Sequence, residues 1–239
     1  MIKKIFPDLI KDFYKFIRTK PHTGIPKYNL YADQVYPKGT NLQKHFLMTV
    51  QKQFKDLNFT KSTKVSSLGT CFAEEFSKFL VNYGGSYIYK EKNTFSSSAN
   101  WGRVFTISHL AQTIQYSLGD KIPLIVEKCN KGFFDPTRET ECGFFNSSNE
   151  AKEKILEHRN ISKEIFKKSE IIVITLGQNE NWIDRKKNIV WGNMPPTDIY
   201  NDNKERFFVE NTTIEKNIKS LGESLELIKK NNSNFKFIL

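Results

Sequence analysis

Two short stretches carry the side chains with the most chemistry in them. The first is Val65-Ser66-Ser67-Leu68 followed by Gly69-Thr70-Cys71-Phe72-Ala73-Glu74-Glu75-Phe76. The second is Ile171-Ile172-Val173-Ile174-Thr175-Leu176 followed by Gly177-Gln178-Asn179-Glu180. Each is an apolar strand that stops at a glycine and passes into small polar or nucleophilic groups. A glycine at a strand end allows a tight turn and close approach of a ligand. The residues after Gly69 open a helix, so their N–H groups lack partners and the local potential is positive. A thiol at Cys71 is thereby favoured in its attacking, thiolate form. An amide at Asn179 can donate to a developing oxyanion. Nucleophile and oxyanion donor together are the equipment of acyl transfer. The competing structural reading makes Cys71 a small buried hydrophobe behind a Thr70 N-cap, and Asn179 an Asx turn that closes its strand.

Such groups need a sheet to position them, and the pattern along the chain supplies one. Residues 65–68 read as the first core strand. Residues 72–83 read as a helix stopped by Gly84-Gly85. Residues 86–100 are polar and loop-like and lead into Asn100-Trp101-Gly102. A helix is expected over 105–118, closed by Gly119, then an insertion with hairpin character over about 120–148. An amphipathic Lys/Glu-rich helix follows over 149–168. The continuous apolar run 171–176 is the pattern of a strand covered on both faces. A short strand is expected at 188–191, and a helix at 211–230 with Ile214, Ile218, Leu221, Leu225 and Ile228 on one face. Residues 235–239 begin another apolar strand, expected parallel to 171–176 through a helical crossover. Strand–helix alternation implies an α/β fold with a three-layer, doubly wound parallel sheet. Ligands bind such sheets at the carboxyl edge, where both stretches end. Residues 1–60, punctuated by Pro7, Pro21, Pro26 and Pro37, read as a leader packing on the domain, with helical spacing over 41–57.

Composition narrows the partners. The chain has 239 residues, a net charge of +11 and a pI of about 9.4. The lysines are scattered, with only short runs at Lys167-Lys168, Lys186-Lys187 and Lys229-Lys230, and no Arg-rich patch accompanies them. The charge permits nucleic acid, an anionic membrane or anionic small molecules as partners, and the absence of any recognition module argues against nucleic acid. The three cysteines, Cys71, Cys129 and Cys142, make no disulfide framework. The histidines His22, His45, His109 and His158 have no metal-ligand spacing, so no metal is expected. No run approaches the roughly 18 apolar residues of a membrane span, and the N-terminus lacks a signal peptide's apolar stretch. A reducing cytoplasm fits these features.

The segment Gly69-Thr70-Cys71-Phe72-Ala73 resembles the signature of the GSCFA-domain family, whose name spells Gly-Ser-Cys-Phe-Ala, with Thr70 in place of the serine. The resemblance continues through Asn100-Trp101-Gly102-Arg103-Val104-Phe105-Thr106, Gly132-Phe133-Phe134-Asp135-Pro136-Thr137-Arg138, His158-Arg159 and Thr175-Leu176-Gly177-Gln178-Asn179-Glu180-Asn181-Trp182. It covers roughly residues 60–239. That pattern is in turn similar to SGNH (GDSL-like) hydrolases, and the similarity implies an SGNH-hydrolase-like fold with esterase or acyltransferase activity on a glycan or polysaccharide precursor. Cys71 falls at the nucleophile position and Thr70 at the one before it, with either able to take the role. Asn179, the nucleophile's own N–H and Gly102 (or Asn100) are then the oxyanion donors. His158 is the histidine that also matches the pattern. Gly69, Asn100, Arg138, Gly177, Gln178, Glu180 and Trp182 are the implied substrate-binding residues. Arg103 is a second candidate for an anionic substrate group, His109 a second candidate base, and Trp101 and Trp191 further aromatic cover. The resemblance implies no cofactor, with acyl-CoA as a candidate acyl donor. SGNH enzymes supply their base from a late Asp-x-x-His, and nothing of that form follows Asn179; the base is expected in a loop after Leu239. The alternative is a non-catalytic binding or scaffold module that retains the fold.

Overall fold

A computed structural model describes residues 60–91, 97–120 and 122–239. These all belong to one unit, Thr60–Leu239. The leader expected over 1–60, including its helix at 41–57, lies outside the described residues apart from Thr60. In chain order the first elements are β1 (Val65–Gly69), α1 (Cys71–Asn82), α2 (Ile107–Leu118), β2 (Glu127–Cys129), β3 (Gly132–Phe134) and α3 (Ser148–Lys168). Then come β4 (Ile171–Thr175), β5 (Glu180–Asp184), β6 (Ile189–Val190), α4 (Thr197–Asp202), β7 (Phe207–Asn211), α5 (Ile214–Asn231) and β8 (Lys236–Ile238).

The central sheet is parallel, in the order β1-β4-β8. Val65 pairs with Ile171 and Gly69 with Thr175, so the two chemistry-bearing stretches end side by side. β8 lies beside β4 as expected, with Ile171 opposite Lys236 and α5 leading into it. Successive residues of a strand face opposite sides. Leu68, Ile172 and Ile174 point into the main core with Leu110, Ile114 and Phe166. Each such fully buried side chain contributes about 1.5–3 kcal/mol. Ser67, on the opposite side, donates from Oγ to the Ala73 carbonyl at 3.0 Å, which ties β1 to α1.

The helices begin where side chains can cap them. Thr106 Oγ1 accepts from His109 N at 3.1 Å, and Ser147 Oγ from Glu150 N at 3.1 Å. Each such cap is worth about 1 kcal/mol. Thr106 also explains why α2 starts at Ile107 and not at Phe105.

The three-stranded sheet β6-β5-β7 is antiparallel; β6 falls at the short strand expected over 188–191, whereas β5 and β7 have no counterpart in the sequence pattern, and the hairpin β2-β3 falls inside the insertion expected over about 120–148. They enclose a second core of Phe134, Ile189, Trp191, Ile199 and Phe207. A buried carboxylate sits within it. Asp184 is fully buried and accepts from Arg206 Nε at 2.9 Å, and Arg206 also pairs with Glu127. The alternating pattern of Glu180–Asp184 is short and charged at both ends, so its strand character depends on β7 and on Arg206. Among the described residues the architecture is thus α/β, with a three-stranded parallel sheet and five α-helices. Among the described residues no helix is long and apolar enough to cross a membrane.

Candidate functional site

Three backbone segments converge at the carboxyl edge of the parallel sheet. Gly69 ends β1 with φ +137°, a conformation that suits glycine. It lies so close to β4 that a Cβ there would meet the Thr175 carbonyl oxygen at 2.1 Å. Thr70 N donates to Thr175 O at 3.1 Å and to Thr175 Oγ1 at 2.9 Å. The two threonine hydroxyls are 3.0 Å apart. Thr70 Oγ1 also accepts from Phe72 N at 3.3 Å, so Thr70 is the N-cap of α1. The second segment enters through Val104, whose N–H donates to Gly69 O at 2.9 Å. The third is tied to the second: Gly177 N and Gln178 N both donate to Phe105 O, at 3.0 and 3.1 Å. Gly177 lies against the Thr70 methyl.

Cys71 is the first residue of α1 and is solvent-exposed. The reading of Cys71 as a buried hydrophobe is therefore wrong, although Thr70 does cap the helix. Among the described residues the Cys71 N–H finds no acceptor, and neither does the Gly102 N–H. The three cysteines are free thiols. Burial pushes the Cys142 thiol up to about 12, and Cys129 is buried in the second core.

Asn179 is exposed and bonded toward α5. Its Nδ2 donates to Thr212 O at 2.8 Å, and its Oδ1 accepts from Asn217 Nδ2 at 2.9 Å. An amide has two N–H donors, so an oxyanion would be served by the second. Gln178 and Glu180 are exposed beside it. Trp182 is packed edge-on against Tyr200, with ring centroids 5.7 Å apart, as part of the second core. Trp191 packs in the same core against Phe134 and Phe207.

His158, Arg138, Asn100 and His109 belong to a polar cluster in the interior. His158 is buried, and its Nδ1 donates to Glu91 Oε2 at 2.7 Å. Burial and then the Arg138 charge hold His158 below its ordinary pKa, against the pull of Glu91. Burial works to raise Glu91, but the His158 hydrogen bond and charge, the Asn100 N–H and the Arg138 charge together outweigh it, so Glu91 is lowered. The pair is a neutral imidazole donating to a carboxylate. Ser162 Oγ lies 3.4 Å from His158 Nε2. Ser162, His158 and Glu91 thus have the connectivity of a catalytic triad. Ser162, however, is fully buried one turn along α3 from His158, where no substrate carbonyl can reach it.

Arg138 is buried too. Its Nε donates to Asp135 Oδ2 at 3.0 Å and its Nη1 to Asn100 O at 2.7 Å. Its charge is committed to Asp135, whose carboxyl is pushed up by burial but lowered overall by Arg138 and Thr137. Asn100 donates from Nδ2 to Cys142 O at 3.0 Å. His109 donates from Nε2 to Thr137 O at 2.8 Å and is held below its ordinary pKa by burial. Arg103 is half-exposed, 3.9 Å from Glu139 and 3.7 Å from Glu141. Two partners escaped the sequence reading. Thr175 is recognisable only once its register opposite Gly69 is known, and Glu91 only once α3 is folded against the loop before Asn100. Among the described residues no group of three or more His, Cys, Asp or Glu side chains could hold a metal ion.

The parallel sheet thus ends beside an exposed cysteine at a helix N-terminus, with Gly177 against the Thr70 methyl. The particular kinship is also shown: the GSCFA family model matches residues 64–239, and the chain belongs to that family. No curated protein and no solved structure gives a significant match.

Proposed function

We propose that this chain handles acyl esters in the manner of SGNH-like hydrolases, as an esterase or acyltransferase on a glycan or polysaccharide precursor, with its sheet as the core of a three-layer doubly wound arrangement. The observation that carries this reading is the convergence of the Gly69–Cys71, Val104–Phe105 and Thr175–Gln178 segments at one sheet edge, with Cys71 exposed there. Thr70 is occupied as cap and as partner of Thr175, which leaves Cys71 as the better nucleophile. Its sulfur attacks the acyl carbonyl, a C–S bond forms and the ester C–O bond breaks. The alcohol leaves carrying the proton, and water or a glycan hydroxyl then releases the thioester. The Cys71 and Gly102 N–H groups and the second Asn179 N–H are the oxyanion donors, each worth about 10²–10³ in rate. An exposed free thiol suits a reducing compartment such as the cytoplasm.

A binding module that retains the fold is the second reading. It is favoured by His109 and His158, which are both buried and bonded to other partners. Intact-protein mass spectrometry after incubation with activated esters and with acyl-CoA separates the two. The catalytic reading expects a covalent acyl adduct that maps to Cys71 and is lost in Cys71→Ala. No adduct with any ester at neutral pH overturns it.

A further inference from the structure

The interior cluster lines a small, partly open cavity of about 20 Å³ bordered by Trp101, Thr113, Ser117, Asp135, Arg138 and His158, among others. Trp101 is 1 % exposed, and its indole Nε1 has no hydrogen-bond partner among the described residues. A buried donor left unmet is destabilising, and native interiors meet such donors with protein or with ordered water. Room for one water begins at about 10–15 Å³, provided that two to four polar groups face it. This cavity has that room and those groups. Thr113 Oγ1 donates to His109 O at 2.9 Å and Ser117 Oγ to Thr113 O at 2.7 Å, so both hydroxyl oxygens keep lone pairs for accepting.

We infer that the cavity is a binding site for a single internal water, which accepts from Trp101 Nε1 and donates to the lining hydroxyls or to Asp135. The water is a structural member of the fold. It joins the Asn100–Gly102 turn, the Asp135–Arg138 turn, α2 and α3. A halide would meet the same N–H and guanidinium donors, but it would also lie against the Asp135 carboxylate. The charges of Arg138 and Asp135 already cancel in their own pair. Water, both donor and acceptor, suits such a lining, whereas an anion does not. The site also accounts for the interior placement of Trp101, Arg138 and His158: together they brace the segment that runs on through Gly102 to Val104 at the sheet edge.

The test uses the full chain. A crystal structure should show one peak about 2.7–3.2 Å from Trp101 Nε1, and a long-lived water should give a nuclear Overhauser contact to the Trp101 indole proton in solution. Crystals soaked in bromide should give no anomalous peak there. Trp101→Phe should lose the water peak while the neighbouring side chains stay in place. A protein acceptor on Nε1, a dry cavity, or bromide at the site would each overturn the inference. Should the Phe variant fail to fold, the wild-type density and the bromide soak still decide.

Discussion

Gly69→Ala tests the closeness of β1 and β4 at the candidate site. The substitution has two separate costs. Gly69 has φ +137°, and an Ala held there is strained by about 1–3 kcal/mol. Its Cβ would also meet Thr175 O at 2.1 Å, Thr175 Oγ1 at 2.6 Å and Thr175 N at 2.8 Å. Two of these are backbone atoms in the β1–β4 ladder, so relief requires the strands to part at the Thr70 N–H. Overpacking of this kind costs about 1–3 kcal/mol. The sum centres on about 4 kcal/mol, and for a domain of this size each kcal/mol lowers Tm by about 2–4 °C, so Tm should fall by about 8–16 °C. Gly84→Ala is the control. Gly84 has φ +77° with nothing within 4 Å of the added Cβ. It carries only the backbone term of about 1–2 kcal/mol, or about 2–8 °C. Circular dichroism melts of the two variants and the wild type measure both. Equal shifts for the two would refute the steric argument, and with it the tight apposition of Gly69 and Thr175 on which the site depends.

Iodoacetamide should label Cys71 in the native protein well before Cys129 and Cys142, because only Cys71 is exposed; peptide mass spectrometry reads the order, and simultaneous labelling would contradict the burial of Cys129 and the raised thiol of Cys142. His109 and His158 are both held below their ordinary 6.5 by burial. The unfolded chain therefore takes up protons, as pH falls below about 6.5, that the folded chain does not, and stability drops with acid. Denaturation midpoints at about pH 7.5 and about pH 5.5 should differ in that direction, and His158→Gln should shrink the difference; an unchanged difference would mean that His158 is not held neutral. Arg138→Met leaves the Asp135 carboxylate buried without its cation, a loss of about 3–5 kcal/mol. Urea unfolding should show that loss, and a shift under about 1 kcal/mol would place Arg138 among surface charges.

The sequence alone determined the elements whose signal is local. Ile171–Thr175 is a run of β-branched residues, and its continuity announces a strand buried on both faces. Gly69 and Gly177 mark where strands stop, and Thr70 declares itself a cap by its place between strand and helix. The apolar stripe of Ile214–Asn231 repeats at helical spacing, and the helix is there. From these, the parallel core and the place of Cys71 at its edge were legible, whereas the exposure of the thiol was decided by the fold.

Only the tertiary structure decided the rest, because it rests on partners far apart in the chain. Asp184 reads as a surface charge until Arg206, 22 residues on, closes over it, and this is why β5 and β7 have no signature of their own. His158 and Arg138 look like reagents in isolation. Glu91 lies 67 residues from His158, and Asn100 lies 38 from Arg138; burial against these partners turns both into interior bracing. The Thr70–Thr175 contact spans 105 residues. A hydroxyl's neighbours at that separation are set by strand register, which depends on the packing of the whole sheet and leaves no mark in local sequence.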